Sequence, residues 1–146
     1  MKIEVTPSKF NPWASLQTYE ETIKAKSGKC GALATFVGTM RDYNEGDTVQ
    51  AMFLEHYPGM TEKYLLKISE TALQRWELLD TLIIHRVGDM QPGDTILLVA
   101  VWAGHRAPAL SAVRFLIEEL KLKAPFWKRE SLGFGARWVT QNTAGY

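Results

Sequence analysis

LDTLIIHRVGDMQPGDTILLVAVW, running from Leu79 to Trp102, is the stretch on which the fold turns. Its first part, about Leu79 to Val87, is rich in Leu, Ile and Thr and reads as a strand. Gln91-Pro92-Gly93-Asp94 then places Pro and Gly at the two central positions of a type II turn, where Pro presets one dihedral and Gly tolerates the positive φ of the next. Thr95–Trp102 is an almost continuous apolar run, the pattern of a strand buried on both faces. Two strands joined by such a turn form a hairpin with a buried second strand, and their pairing is antiparallel.

Working outward, Ala109, Val113, Leu116, Ile117 and Leu120 make one stripe of a helix after the hairpin. It must stop near Lys123, because Pro125 disfavours helical geometry in the residue before it. Two short extended pieces, Phe126–Glu130 and Arg137–Thr140, follow. Before the hairpin, Leu65, Ile68, Ala72 and Trp76 recur at helical spacing after the break at Pro58-Gly59. Val49–Tyr57 reads as a strand, and Arg41–Asp47 as a polar, turn-forming loop. Lys29–Met40 reads as a strand whose Gly31 and Gly38 mark a bulge or a close backbone approach. Asn11-Pro12 is an N-cap followed by Pro in the first turn, opening a helix through Leu16, Tyr19 and Ile23 to about Lys26, ended by Ser27-Gly28. Helices interspersed with strands that include a hairpin predict an α+β fold on a largely antiparallel sheet, with about three helices, rather than a doubly wound one. With no repeat, low-complexity segment or long linker, residues 1–146 are expected to form one domain.

Composition narrows the function classes. Seventeen Lys and Arg against 16 Asp and Glu leave a net charge of +1, too little to steer the whole molecule to nucleic acid or an anionic membrane, so any anion site is local. The single cysteine, Cys30, cannot form an internal disulfide and is expected to pack as a small apolar side chain; no Cys/His set has metal-ligand spacing. No segment approaches the roughly 20 apolar residues of a membrane span, and Met1–Thr6 lacks a signal-type apolar run, so a cytoplasmic protein is expected.

Cationic or proton-bearing side chains cluster at element ends. Arg41 follows the first long strand, His105-Arg106 the apolar strand, and Lys121, Lys128 and Arg129 the last helix. Convergence of these ends would build a pocket suited to a phosphate and an anionic transition state; solvated charges are the alternative. His105-Arg106 at a helix start fits either an anion site or an exposed first turn. Lys121 and Lys128 flank the apolar Ala124-Pro125-Phe126-Trp127, which could lower an ammonium's pKa; a lysine complementing the helix dipole explains Lys121 equally well. His56 and His85, inside strand-like stretches, read as half-buried histidines.

The strings Phe36-Val37-Gly38-Thr39-Met40-Arg41, Leu54-Glu55-His56-Tyr57-Pro58-Gly59-Met60, Ile84-His85-Arg86-Val87-Gly88, Gly104-His105-Arg106, and Leu120-Lys121 through Pro125-Phe126-Trp127-Lys128-Arg129-Glu130 together resemble the large subunit of molybdopterin synthase. The resemblance runs in order from about Gly31 to Val139. It implies an α/β hammerhead type of fold and a homodimer that binds two small ubiquitin-like sulfur-carrier subunits in a heterotetramer. It further implies that the small subunit's C-terminal Gly-Gly thiocarboxylate enters a pocket and supplies dithiolene sulfur to cyclic pyranopterin monophosphate (precursor Z), giving molybdopterin without a metal or other cofactor. Lys121 and Lys128 match the family's functional lysines and are the implied catalytic residues. Thr39, Met40, Arg41, His105, Arg106, Lys121, Lys128, Arg129 and Glu130 match its substrate-binding positions. Two departures are mild: Met40 stands where Val is common, and Ala103-Gly104 where Ser-Ala is more usual. The tail ending Ala144-Gly145-Tyr146 carries no signal.

Two other readings compete. A non-catalytic module could keep the fold and bind a ubiquitin-like tail, against which stands the retention of both lysines, the arginines and the histidine. A local basic surface with Phe126 and Trp127 stacking on bases could bind nucleic acid. The near-neutral charge and the lack of a nucleic-acid module oppose that.

Overall fold

The strand Thr95–Ala103 is the centre of the computed structural model, which describes residues 1–140; Ala144–Tyr146 of the tail lie outside that range. Counting along the chain, the strands are β1 (Lys2–Thr6), β2 (Ala32–Thr39), β3 (Tyr43–Asn44), β4 (Asp47–His56), β5 (Asp80–Arg86), β6 (Gly88–Met90), β7 (Thr95–Ala103), β8 (Phe126–Leu132) and β9 (Gly135–Trp138). The helices are α1 (Pro12–Thr22), α2 (Met60–Arg75) and α3 (Arg106–Lys123), with a 3₁₀ helix at Lys24–Lys29.

β7 pairs antiparallel with β5 on one side, Ile83 facing Val99, and with β2 on the other, Thr35 facing Ala100. Its near-continuous hydrophobicity has a simple cause. Leu98, Ala100 and Trp102 pack toward Leu16 and Tyr19 of α1, while Leu97, Val99 and Val101 pack toward Ala109, Leu116 and Leu120 of α3 and Leu65 and Ile68 of α2. A sheet covered on both faces has no solvent side to alternate with. The second sheet runs β3-β4-β8-β9, with β6 also on β4. Its Val49, Met52, Leu54, Met90 and Leu132 join the same core as Ile83 and Leu97. The expected α+β class with largely antiparallel sheets is what the chain forms. No described helix is long and apolar enough to cross a membrane.

Three local readings need correction. Residues 2–6 form a strand parallel to β5, Lys2 facing Leu82, where no element was expected; the period-2 signal is short, only Ile3 and Val5, both packed on the core. α1 stops at Thr22 instead of near Lys26, and Ser27-Gly28 lies in the 3₁₀ helix. The reason is tertiary: Lys26 Nζ is held 3.0 Å from both the Leu79 carbonyl and an Asp80 carboxylate oxygen, which tightens the last turns. The polar loop at 41–47 contains the β3–β4 hairpin, turned by Glu45 and Gly46, both at positive φ.

Other readings hold. Asn11 Oδ1 accepts from the Trp13 and Ala14 amides, with Pro12 in the first turn. Gly93 sits at φ +89, and the Asp94 amide donates to the Gln91 carbonyl at 3.0 Å, although β6 intervenes between β5 and this turn. α3 ends at Lys123, with Ala124 already extended before Pro125. Gly31 is a close approach: a Cβ there would lie 2.1 Å from the Gly104 carbonyl oxygen.

Candidate functional site

The end of β2, the last turn of α3 and the inner face of β8 meet around a cavity of about 310 Å³. β2 delivers Thr39, Met40 and Arg41 to it. The register shifts between Gly38 and Thr39, a bulge that passes over Ile96 of β7 before Thr39 pairs with Thr95. The displaced backbone is caught by the Pro92-Gly93 turn: the Met40 amide donates to the Asp94 carbonyl at 2.9 Å, and the Gly93 amide donates to the Met40 carbonyl at 2.8 Å. Asp94 is itself fixed by the Arg86 guanidinium at 2.9 Å. Met40 is thereby buried, and Arg41 emerges with its guanidinium 4.8 Å from the centre of the Tyr43 ring.

β8 supplies Lys128 and Glu130, two residues apart and so on one face, while α3 supplies Lys121. Glu130 is 5% exposed. Its Oε1 accepts from Asn44 Nδ2 at 2.7 Å and from Arg137 Nε at 3.5 Å. Arg137 also reaches Asp47 at 2.7 Å and the Asn44 carbonyl at 2.8 Å, tying the β3–β4 hairpin to β8 and β9. Burial, and then the neighbouring Lys128 ammonium, bring the Lys121 ammonium down to about 8. Burial also lowers Lys128; Glu130 opposes that shift and Arg41 adds to it. Among the described residues, three cations from separate parts of the chain thus share one cavity with a single carboxylate, an arrangement fit to hold a small anion and to stabilise negative charge as it develops. No cluster of His, Cys, Asp or Glu able to hold a metal occurs among the described residues.

Of the nine positions singled out in the sequence, the structure brings six to this cavity: Thr39, Met40, Arg41, Lys121, Lys128 and Glu130. His105 and Arg106 are elsewhere. His105 is the N-cap of α3, and Arg106 lies fifteen residues before Lys121, roughly 22 Å along the helix. Arg129 alternates to the other face of β8, with its guanidinium over the rings of Phe53 and Trp138. Sequence reasoning missed Asn44 and Arg137. Their signal is weak: each acts only once the β3–β4 and β8–β9 hairpins have formed. Two histidine readings also separate. His56 is half-buried as expected, whereas His85 is 2% exposed, sealed under Phe126. Cys30 packs beside the second face of the main sheet, as a small apolar side chain would.

Comparison with known proteins puts this geometry in context. The family described as MoaE protein matches residues 10–123. A molybdopterin synthase catalytic subunit from Ralstonia nicotianae is 54% identical over 117 residues, covering 80% of this chain and 66% of that relative. One of the same name from Pseudomonas aeruginosa is 45% identical over 139 residues, 95% of this chain and 90% of the relative. The solved structure of molybdopterin synthase from Staphylococcus aureus superposes with a TM-score of 0.84 at 30% identity, covering 97% of this chain and 99% of that one.

Proposed function

Because the chain belongs to the MoaE protein family, we propose that it is the catalytic subunit of a molybdopterin synthase, converting precursor Z to molybdopterin with sulfur drawn from the C-terminal thiocarboxylate of a small ubiquitin-like subunit. The observation that carries this reading is the convergence of Arg41, Lys121 and Lys128 on one cavity of about 310 Å³. The substrate is a small phosphorylated pterin, and the sulfur donor is itself an anion. Arg41 and Lys128 hold the phosphate and pterin. Lys121, the more deeply shifted ammonium, sits nearest the chemistry and stabilises the charge that develops as sulfur adds and the acyl group is lost. Relatives named as a catalytic subunit have by that name at least one further subunit, in keeping with a separate sulfur carrier. A cytoplasmic setting accords with this reading.

His105 and Arg106 bind substrate in this scheme from a second copy of the chain. Within one chain the length of α3 separates them from Lys121, so a homodimer, and with two carriers a heterotetramer, gives them a pocket to serve. The test is to mix the purified chain with thiocarboxylated carrier and precursor Z and to follow the dithiolene pterin by oxidation to a fluorescent derivative. Product is expected; its absence, with a carrier active toward a known synthase, would leave only a binding module.

Two further results are expected. Arg41→Ala should raise KM for precursor Z by about tenfold or more, the value of one charge-assisted contact, with a smaller change in kcat, since Arg41 is exposed where Lys121 is half-buried. The rate should fall as pH rises through about 8, because the working form of Lys121 is the ammonium and that form is lost above its pKa. Lys121→Arg, which stays charged, should lack this limb; a limb retained in that variant would assign it to another group.

A further inference from the structure

His85 is the buried titratable group that this chemistry leaves unused. Its ring stacks on Phe126 with centroids 4.0 Å apart and planes 18° apart. Nδ1 lies 2.8 Å from the Arg86 carbonyl oxygen. That oxygen can only accept, so Nδ1 carries the hydrogen and, in the neutral ring, Nε2 carries the lone pair. Burial first, and the Lys121 charge second, push the imidazole down to about 3, so the ring is neutral at working pH. A buried lone pair calls for a donor. His85 shares a second, smaller cavity of about 110 Å³ with Lys121 and Lys128, and the other side chains around it, such as Leu54, Leu120 and Phe126, are hydrocarbon. Among the described residues lining it, the side-chain donors are the two ammonium groups. Lys121 from α3 acts on the ring more strongly than Lys128 from β8 or His56 from β4.

Resting on the reading of the pocket above, we propose that His85 is a positioning residue for Lys121: its Nε2 accepts one N–H of the ammonium and holds the lysine at the boundary between the two cavities. Lys121 lines both of them. A lysine stem is flexible, and an ammonium offers three donors. Fixing one of them on a rigid, stacked ring limits the directions in which the ammonium can present the others and removes the rotamer search from the chemical step.

The anchor also favours the charged lysine over the neutral amine, which gives a readout that needs neither substrate nor carrier. The whole chain is titrated with acetic anhydride, and acetylation of Lys121 is followed by mass spectrometry, the rate at pH 7 being divided by that at pH 10 to cancel differences in access. His85→Leu, which removes the acceptor, should raise this ratio about fivefold, which is what a roughly tenfold change in the acidity of an ammonium near 8 gives at pH 7. His85→Gln, which keeps an acceptor near the Nε2 position, should stay within about twofold of the native chain. In turnover, His85→Leu should lower kcat about tenfold with KM for precursor Z little changed, and Gln should restore most of it. If His85→Leu does not fold, His85→Asn, which has no atom at the Nε2 position, takes its place with the same expectation. Equal ratios in the native, acceptor-free and Gln chains would overturn the proposal, as would equal shifts in both variants. A chain that makes no product but shows the labelling pattern would refute the synthase reading and leave the anchor standing.

Discussion

Lys121→Ala is expected to lower kcat by on the order of 10²–10³-fold, the usual consequence of deleting one preorganised group that stabilises a developing charge. The side chain is half-buried at the C-terminal end of α3, beside Lys128. Its removal takes away the cation for which the site's low dielectric does most, because burial that lowers an ammonium's pKa also strengthens its attraction for a nearby anion. α3 should be undisturbed: alanine is a better helix former than lysine, and the buried stripe of Ala109, Leu116 and Leu120 is untouched. The fold and the affinity for the proposed carrier should therefore survive, as melting and binding measurements would show. Near-normal turnover by Lys121→Ala would remove this lysine from the chemistry and move attention to Lys128.

Gly31→Ala is expected to be strongly destabilising, because among the described glycines an added Cβ makes its shortest contact here. The added Cβ would stand 2.1 Å from the Gly104 carbonyl oxygen and 3.1 Å from its carbon, and both are backbone atoms that no rotamer change can move aside. Gly31 is also tied there, its amide donating to the Ala103 carbonyl at 3.0 Å. Relief requires parting β2 from the end of β7. The cost is about 3 kcal/mol, at the upper end for overpacking, or roughly a 10 °C fall in Tm for a domain of this size. Gly104→Ala is the control. A Cβ at Gly104 meets only the Lys29 carbonyl oxygen, at 3.8 Å, so that variant should melt within about 2 °C of the native chain. If both variants melt alike, the close approach is not a constraint on the fold.

The two glycines illustrate how far the sequence could be read. Gly31 in a run of strand formers signals a bulge or a close approach, and that signal is local. The hairpin through Pro92-Gly93, the stop of α3 before Pro125 and the Asn11 cap are equally local, since each follows from the dihedral or hydrogen-bond demands of a few adjacent residues. What escaped was set at a distance. β1 becomes a strand because β5 offers it a parallel edge, and α1 ends early because Lys26 is drawn to Asp80. In the site, Arg41, Lys121 and Lys128 are legible as charges at element ends, but Arg137 acquires its role only by pairing across β8 and β9, where it stands opposite Glu130. His85 read as half-buried because its own strand does not reveal that Phe126, 41 positions later, will close over it. The wide separation of His105 from Lys121 follows from the straight length of one helix. Only the folded chain makes it a reason to look to a second copy.

The measurement that bears most directly on the central claim is the stoichiometry of a single turnover. Thiocarboxylated carrier, precursor Z and the purified chain are mixed, and mass spectrometry counts carrier C-termini converted to carboxylate for each molecule of dithiolene pterin formed. Two conversions per pterin, dependent on the chain and abolished with Lys121→Ala, are what sulfur transfer in the Arg41–Lys121–Lys128 pocket predicts. Carrier that binds the chain but keeps its thiocarboxylate in the presence of precursor Z would contradict it.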